Sequence, residues 1–354
     1  MLPFFEYTEV DRAFYRDHIA PRLPTEIFDV HVHAFLQKHV DMVPENVRTA
    51  FWASECAITL SCVDAHACAR ELYPGSSYTF AAFPTAAPEA DTTGMNEYIA
   101  DMGRADKCIP LMMVRPEWDP EEVERTFIEG GFVGFKPYPG MVGGGTTGEV
   151  SIFSFFPHEQ WEILNRHHKA LMLHVGRKER FADGENIREL LIARDRYPEV
   201  TIIIAHFGRS YCPWYLERGL DMMGDPSGFY FDTTAVINPA VYDIAFERIP
   251  VGNILYGSDM HVLLWHGKRE WTERSYKNLA RENYTWNTNR RPPEVEATYT
   301  LFLYEQMKSI LDAVDRHTLS EEQKRDIFGK TAWRLLKSPP NPSKGGCKKS
   351  ADMT

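Results

Sequence analysis

Glu26-Ile27-Phe28-Asp29-Val30-His31-Val32-His33 reads as a β-strand, because apolar residues dominate it and side chains on a strand alternate between two faces. That alternation sends His31 and His33 to the same side. The apolar stretch ends at this pair and a loop follows, so the carboxyl end of the strand opens into a site instead of a packed core. Two imidazoles side by side suit one metal ion. On their own they better suit two rings hydrogen-bonded on a half-buried strand.

Three later segments reverse that balance. Ala170-Leu171-Met172-Leu173-His174, Val200-Thr201-Ile202-Ile203-Ile204-Ala205-His206 and Asn253-Ile254-Leu255-Tyr256-Gly257-Ser258-Asp259 are apolar runs that each end in a potential ligand or base. A His or Asp withdrawn from water at a strand end costs several kcal/mol unless paired, hydrogen-bonded or bound to metal. Coordination of a common metal explains all of them together.

The remaining periodicity predicts eight strands, near 27–33, 77–84, 108–114, 131–137, 170–175, 200–206, 228–235 and 254–259. Helical patterns fall between them at 95–104, 121–129, 157–168, 186–196, 213–223 and 239–248. Pro157 and Pro213 suit first-turn positions. Eight strands separated by helices, in roughly 250 residues, predict an α/β fold of the (β/α)8 TIM-barrel type rather than a doubly wound sheet. In such a barrel functional groups gather at the carboxyl ends of the strands, where all five polar residues sit.

Around this barrel, assigned to residues 26–337, lie a polar, aromatic-rich lead-in (1–25) and a tail (338–354) with the composition of a disordered segment. Stretches 36–76 and 260–294 are long insertions after the first and eighth strands. On the catalytic face such loops are lids, or else peripheral helix pairs without a gating role. A long helical pattern covers 294–315. Ser320-Glu321-Glu322-Gln323 is a capping-box signature opening a helix to Phe328, before Gly329.

The 354 residues are 44% hydrophobic with a net charge of −11. An acidic balance excludes nucleic acid and anionic membrane as main partners and leaves a small-molecule substrate. Cys56, Cys62, Cys68, Cys108, Cys212 and Cys347 are scattered without CxxC spacing, which suits a reducing compartment. With no signal-peptide pattern and no long apolar run, the cytoplasm is the expected location. Oligomeric state is open, a homo-oligomer included.

Asp29-Val30-His31-Val32-His33, Gly131-Phe132-Val133-Gly134-Phe135-Lys136, His174, Ala205-His206-Phe207-Gly208, Gly257-Ser258-Asp259 and Gly329-Lys330-Thr331-Ala332-Trp333-Arg334-Leu335-Leu336 together resemble the amidohydrolase superfamily. The closest likeness is to its amidohydrolase-related branch, which includes aminocarboxymuconate semialdehyde decarboxylase, resorcylate-type decarboxylases and several lactone or ester hydrolases. The resemblance covers roughly residues 26–337. It implies His31, His33 and His174 as metal ligands, Asp259 as the eighth-strand carboxylate that is ligand and catalytic base, and His206 as a catalytic group near the reacting atom. It implies one divalent ion, zinc or manganese. His261 stands where members usually have proline. Lys136 occupies the region where other superfamily members carboxylate a lysine to bridge two metals, but this branch is generally mononuclear. Lys136 is therefore a site residue, or a lysine buried beside a carboxylate for charge balance.

Metal held by imidazoles and one carboxylate, with a position left open, acidifies water at neutral pH. The sequence therefore predicts a mononuclear hydrolase of a small carboxylate-bearing ester, lactone or amide. The alternative is non-oxidative decarboxylation of an aromatic or unsaturated acid, which uses the same ligands. Arg115, Arg177 and Arg209, just after strand ends, together with Lys136 and Tyr138, are the candidate substrate-binding residues. Phe35, Trp52, Tyr138, Trp265 and Trp271 are candidates for an apolar wall.

Overall fold

The computed structural model describes residues 5–45, 47, 55, 56, 59–142 and 148–337. Eight parallel strands lie in sequence order in one sheet: β1 (Glu26–His33), β2 (Ser77–Phe83), β3 (Ile109–Met113), β4 (Gly134–Lys136), β5 (Ala170–Leu173), β6 (Thr201–Ile204), β7 (Tyr230–Asp232) and β8 (Ile254–Leu255). The sheet closes on itself, since Val30 N–H donates to Tyr256 O at 3.0 Å and His33 N–H donates to Met260 O at 2.9 Å. The fold is the (β/α)8 barrel. Its later strands are shorter than periodicity predicts: β8 stops at Leu255, and Asp259 lies beyond it.

Alternation along the strands builds two cores. Phe28, Val30, Phe83, Leu111, Met172, Ile203 and Leu255 fill the barrel interior, and Ala332 and Leu336 of the helix Thr331–Leu336 join the same cluster and plug its amino-terminal end. Gly329 lets that helix approach, because a Cβ there would lie 2.8 Å from Phe28 N. Outward-facing strand residues pack on the helices, where each buried leucine such as Leu190 or Leu216 contributes about 1.5–3 kcal/mol. Local chemistry sets the helix starts. Asp119 Oδ1 accepts from Glu121 N and Glu122 N ahead of Pro120–Glu129, and Pro213 opens Pro213–Met223 as expected. Pro157 sits one position earlier, as the cap of His158–His167.

The insertions resolve into specific elements. The carboxyl-terminal part of 36–76 is the barrel's own helix, Cys62–Leu72, opened by a Ser61/Asp64 capping box. Stretch 260–294 folds as an antiparallel hairpin, β9 (Gly267–Trp271) with β10 (Tyr276–Ala280), and not as a helix pair. The helix expected over 294–315 begins only at Phe302 and runs to Arg316. Ahead of it Leu301 bridges His266, while Gly267 N–H donates to Thr300 O, so residues just before Phe302 serve the hairpin. The Ser320/Gln323 capping box forms, but the chain does not stop at Phe328: it passes through a wide turn, Asp326–Lys330, into Thr331–Leu336.

Part of the lead-in is tied down. Asp11, in Glu9–Phe14, is buried and accepts from Thr300 Oγ1 (2.8 Å), Leu301 N (2.9 Å) and His266 Nε2 (2.9 Å). Cys56, Cys62, Cys68, Cys108 and Cys212 are free thiols. Cys347, Trp52 and the tail 338–354 lie outside the described residues. No helix among the described residues is long and apolar enough to cross a membrane.

Candidate metal centre and active site

β1 carries an irregularity at the site. Asp29 pairs with Phe80 but Val32 pairs with Ala82, three steps against two, and this bulge re-aims the histidines at the barrel mouth. The His31 and His33 rings lie 5.6 Å apart. Asp259 meets them from the far side of the closure, with Oδ1 3.2 Å from His33 Nε2 and 3.7 Å from His31 Nε2. One ligand atom from each of His31, His33 and Asp259 falls within 4.8 Å of the others. His206 lies next to His31 (ring centroids 4.8 Å), and His174 next to His206 (5.4 Å). Four imidazoles thus form an arc; His31 and His33 belong to the tight group with Asp259, while His174 stands outside it.

Hydrogen bonds fix which nitrogen faces inward. Nδ1–H of His31 donates to Asp232 Oδ2 (2.9 Å), that of His33 to Pro84 O (3.4 Å) and that of His206 to Thr234 O (3.2 Å). Each leaves an Nε2 lone pair for a ligand. His174 Nδ1 is buried with no hydrogen-bond partner among the described residues. Burial lowers the pKa of His31, His174 and His206, the first to about 3, with Lys136 adding to each effect. For Asp259 burial opposes ionisation, but the His33 contact and the surrounding imidazoles outweigh it and hold the carboxyl below its usual range. Neutral imidazoles and an ionised carboxylate are the protonation states that metal coordination requires. The donor set, the inward nitrogens and the orphaned His174 Nδ1 fit a single divalent ion.

Two further aspartates hold these side chains in place. Asp232, at the end of β7, also accepts from His206 N (2.6 Å) and Thr234 N (3.1 Å) through Oδ1. Burial would raise its pKa, yet His31 and these contacts hold it at about 2. Asp29 Oδ1 accepts from His31 N (3.0 Å) and Ser258 N (2.9 Å), and its Oδ2 accepts from Tyr78 OH (2.8 Å). It therefore ties the strand bearing two histidines to the turn bearing Asp259. Burial still pushes Asp29 up to about 6. Sequence reasoning gave neither residue a role, although Phe229-Tyr230-Phe231-Asp232 repeats the pattern of an apolar run ended by a polar group.

The candidate substrate residues separate. Lys136 is fully buried, its Nζ without a hydrogen-bond partner among the described residues, 4.8 Å from the Phe83 ring centroid and 5.2 Å from that of Tyr138. Burial lowers it to about 8 against the attraction of Asp232 and Asp259. Tyr138 stacks 6.4 Å from His33 and donates to Pro84 O. Arg209 is buried near His174 and donates to Arg177 O (3.3 Å). Arg177 is drawn to Glu149 (3.5 Å) and Asp183 (3.8 Å). Arg115 is spent on Glu117, Pro88 O and Thr92, and fastens a loop. Of the aromatics, Phe35 touches His261 (5.6 Å), Trp265 stacks on Phe302 in a buried cluster, and Trp271 is exposed on the hairpin.

The fold is similar to that of 4-oxalomesaconate hydratase from Rhodopseudomonas palustris (19% identity, TM-score 0.54, covering 88% of this chain and 95% of that one). It is also similar to 2,6-dihydroxybenzoate decarboxylase from Rhizobium (15% identity, TM-score 0.52, 88% and 98%). A third similar structure is the dihydroxybenzoic acid decarboxylase from Polaromonas sp. JS666, solved with manganese and 2-nitroresorcinol bound (17% identity, TM-score 0.51, 89% and 97%). A search of curated proteins returned no match. The amidohydrolase family profile matches residues 29–337, a span that starts at Asp29 and takes in every histidine and carboxylate of the site, and the chain belongs to that family.

Proposed function

We propose that the protein is a mononuclear, divalent-metal-dependent hydrolase acting on a small carboxylate-bearing ester, lactone or amide. The observation that carries this reading is the group of His31, His33 and Asp259, with ligand atoms within 4.8 Å of one another and the carboxyl of Asp259 held below its usual range. His31, His33, His174 and Asp259 would hold the ion, zinc or manganese. When bound, it supplies Lewis acidity that acidifies water and polarises a carbonyl.

The chain's own groups then have defined tasks. Asp259 accepts the proton of the attacking water and returns it to the leaving group. His206, its Nδ1–H held by Thr234 O, presents Nε2 beside the reacting carbonyl. Asp232 and Asp29 keep the imidazoles and Asp259 in register. Lys136 and Arg209 attract the substrate's negative charge, and Tyr138 closes the wall beside His33.

Non-oxidative decarboxylation is the second reading. It is supported by the two decarboxylases of similar fold; in this reading an acid protonates the ring or alkene carbon of the substrate before its carboxylate departs as carbon dioxide. The test is metal analysis of the purified chain, followed by turnover of carboxylate-bearing esters, lactones and amides beside hydroxybenzoates and unsaturated acids. Stoichiometric metal with hydrolysis supports the first reading. Carbon dioxide release without hydrolysis replaces it with the second, and a chain that neither binds metal nor turns over any of these substrates refutes both.

A further inference from the structure

Beyond His174 and His206, three arginines from three different segments gather near Tyr211. Arg269, on β9, is 7% exposed; its Nη1 donates to Ala235 O (2.8 Å), and its guanidinium lies 4.7 Å from the Tyr211 ring centroid and 4.4 Å from that of Tyr276. Arg180, in the turn after β5, lies 5.5 Å from Tyr211, 4.7 Å from Tyr215 and 5.3 Å from Tyr276, and its buried Nε and Nη1 have no hydrogen-bond partner among the described residues. Arg209, 8% exposed, completes the group from the turn after β6. Among the described residues, no ion pair joins any of the three to a carboxylate. Each of Arg209 and Arg269 is held below the usual arginine range by burial, and Arg180 adds repulsion.

Buried like charges are disfavoured unless something anionic completes them, and guanidinium forks match carboxylates. The cluster adjoins the candidate metal centre, since the Tyr211 ring lies 6.4 Å from His206 and Arg209 is within electrostatic reach of His174. It is therefore placed to hold one end of a molecule whose other end reacts.

We propose that Arg180, Arg209 and Arg269 form a subsite for a second carboxylate, so that the substrate is a dicarboxylic acid or a dicarboxylate-derived ester, lactone or amide, with Arg269 supplied by the β9–β10 hairpin as a specificity-determining residue. The proposal rests on the metal-centre reading only for where the reacting group sits.

The test is calorimetric binding to the full chain loaded with zinc, comparing isophthalate with benzoate, glutarate with butyrate, and inorganic phosphate. The dicarboxylates are expected to bind at least tenfold more tightly than their monocarboxylate partners. Arg269→Gln and Arg180→Gln should each remove about tenfold of that preference, as expected for the loss of a charge-assisted contact. Monocarboxylate affinity and zinc content should stay unchanged. Equal affinity within both acid pairs overturns the proposal whether or not the variants fold, and so does phosphate binding without dicarboxylate binding. A lowered melting temperature with intact dicarboxylate preference would make the cluster structural. Loss of zinc binding with the preference retained would instead refute the metal centre and leave this subsite standing.

Discussion

Asp232→Asn isolates the orientation of His31 from its presence. In the wild type the Asp232 carboxylate accepts three N–H bonds, from His31 Nδ1 (2.9 Å), His206 N (2.6 Å) and Thr234 N (3.1 Å). Asparagine keeps one oxygen, which satisfies the two backbone donors, and replaces the other with an amide that only donates. His31 Nδ1 must then accept, which moves the imidazole proton to Nε2, the nitrogen facing Asp259 at 3.7 Å. That nitrogen can no longer act as a ligand unless the tautomer is forced back. Loss of such a supporting bond typically weakens metal binding 10- to 100-fold, or about 1.4–2.7 kcal/mol. The backbone contacts survive, so the folded state should persist. Competition against a chromogenic zinc chelator, with circular dichroism as the folding control, measures both. A folded Asp232→Asn protein with wild-type zinc affinity would refute the argument that Asp232 sets the tautomer.

Other expectations follow from the same geometry. Asp259→Ala and His174→Ala should each lower bound metal and abolish turnover with the barrel intact, since apolar strand residues supply the core; metal analysis and circular dichroism check this, and unfolding with full metal retention contradicts it. Gly257→Ala places a Cβ 2.3 Å from Thr234 Oγ1 and 2.9 Å from His31 Cβ. It should cost about 1–3 kcal/mol in denaturant titrations and weaken zinc binding by displacing His31. His266, between Asp11 (2.9 Å) and Glu282 (2.6 Å) with Arg281 alongside, has a raised pKa: burial opposes the charge, and the two carboxylates overcome it. Its protonated form therefore stabilises the fold fully below the free-histidine value of 6.5, and the contribution is lost as pH rises through the raised value. The melting-temperature advantage of wild type over His266→Gln should shrink as pH climbs above that window, and an advantage independent of pH would exclude the charged bridge.

Much of this site could be read from the chain because burial makes polar residues conspicuous. His31, His33, His174, His206 and Asp259 each follow an apolar run, and the pattern places them at one end of a barrel without knowledge of any contact. Asp232 follows the same rule at the end of Phe229-Tyr230-Phe231, on a strand of only three residues, too short for alternation to single it out. The arginines are different. Arg115 and Arg209 look equivalent in sequence, each just after a strand end, but Arg115 finds Glu117 two residues on whereas Arg209 is buried against carbonyls. Arg180 and Arg269 meet only because a turn after β5 and a hairpin after β8 converge on Tyr211 and Tyr276. Nothing periodic encodes such a meeting.

The aim of His206 and Asp259 was hidden for a related reason. Strand alternation stops at Ile204 on β6 and at Leu255 on β8, so it says nothing about where His206 and Asp259 point. Left-handed backbone at His206 (φ 57), Phe207 (φ 45), Arg209 (φ 65) and Asp259 (φ 56) sets their directions. Such conformations cost about 1–3 kcal/mol each outside glycine, and they persist only where the surroundings over-determine them. Here Asp29 holds Ser258 N beside the Asp259 turn, Asp232 holds His206 N, and Gln306 Nε2 donates to Gly257 O while its Oε1 accepts from Ala235 N. The strained turns and the buried carboxylates are thus parts of one arrangement: weakening Asp29 or Asp232 relaxes the turns that aim Asp259 and His206, even though neither aspartate lies in the ligand group itself.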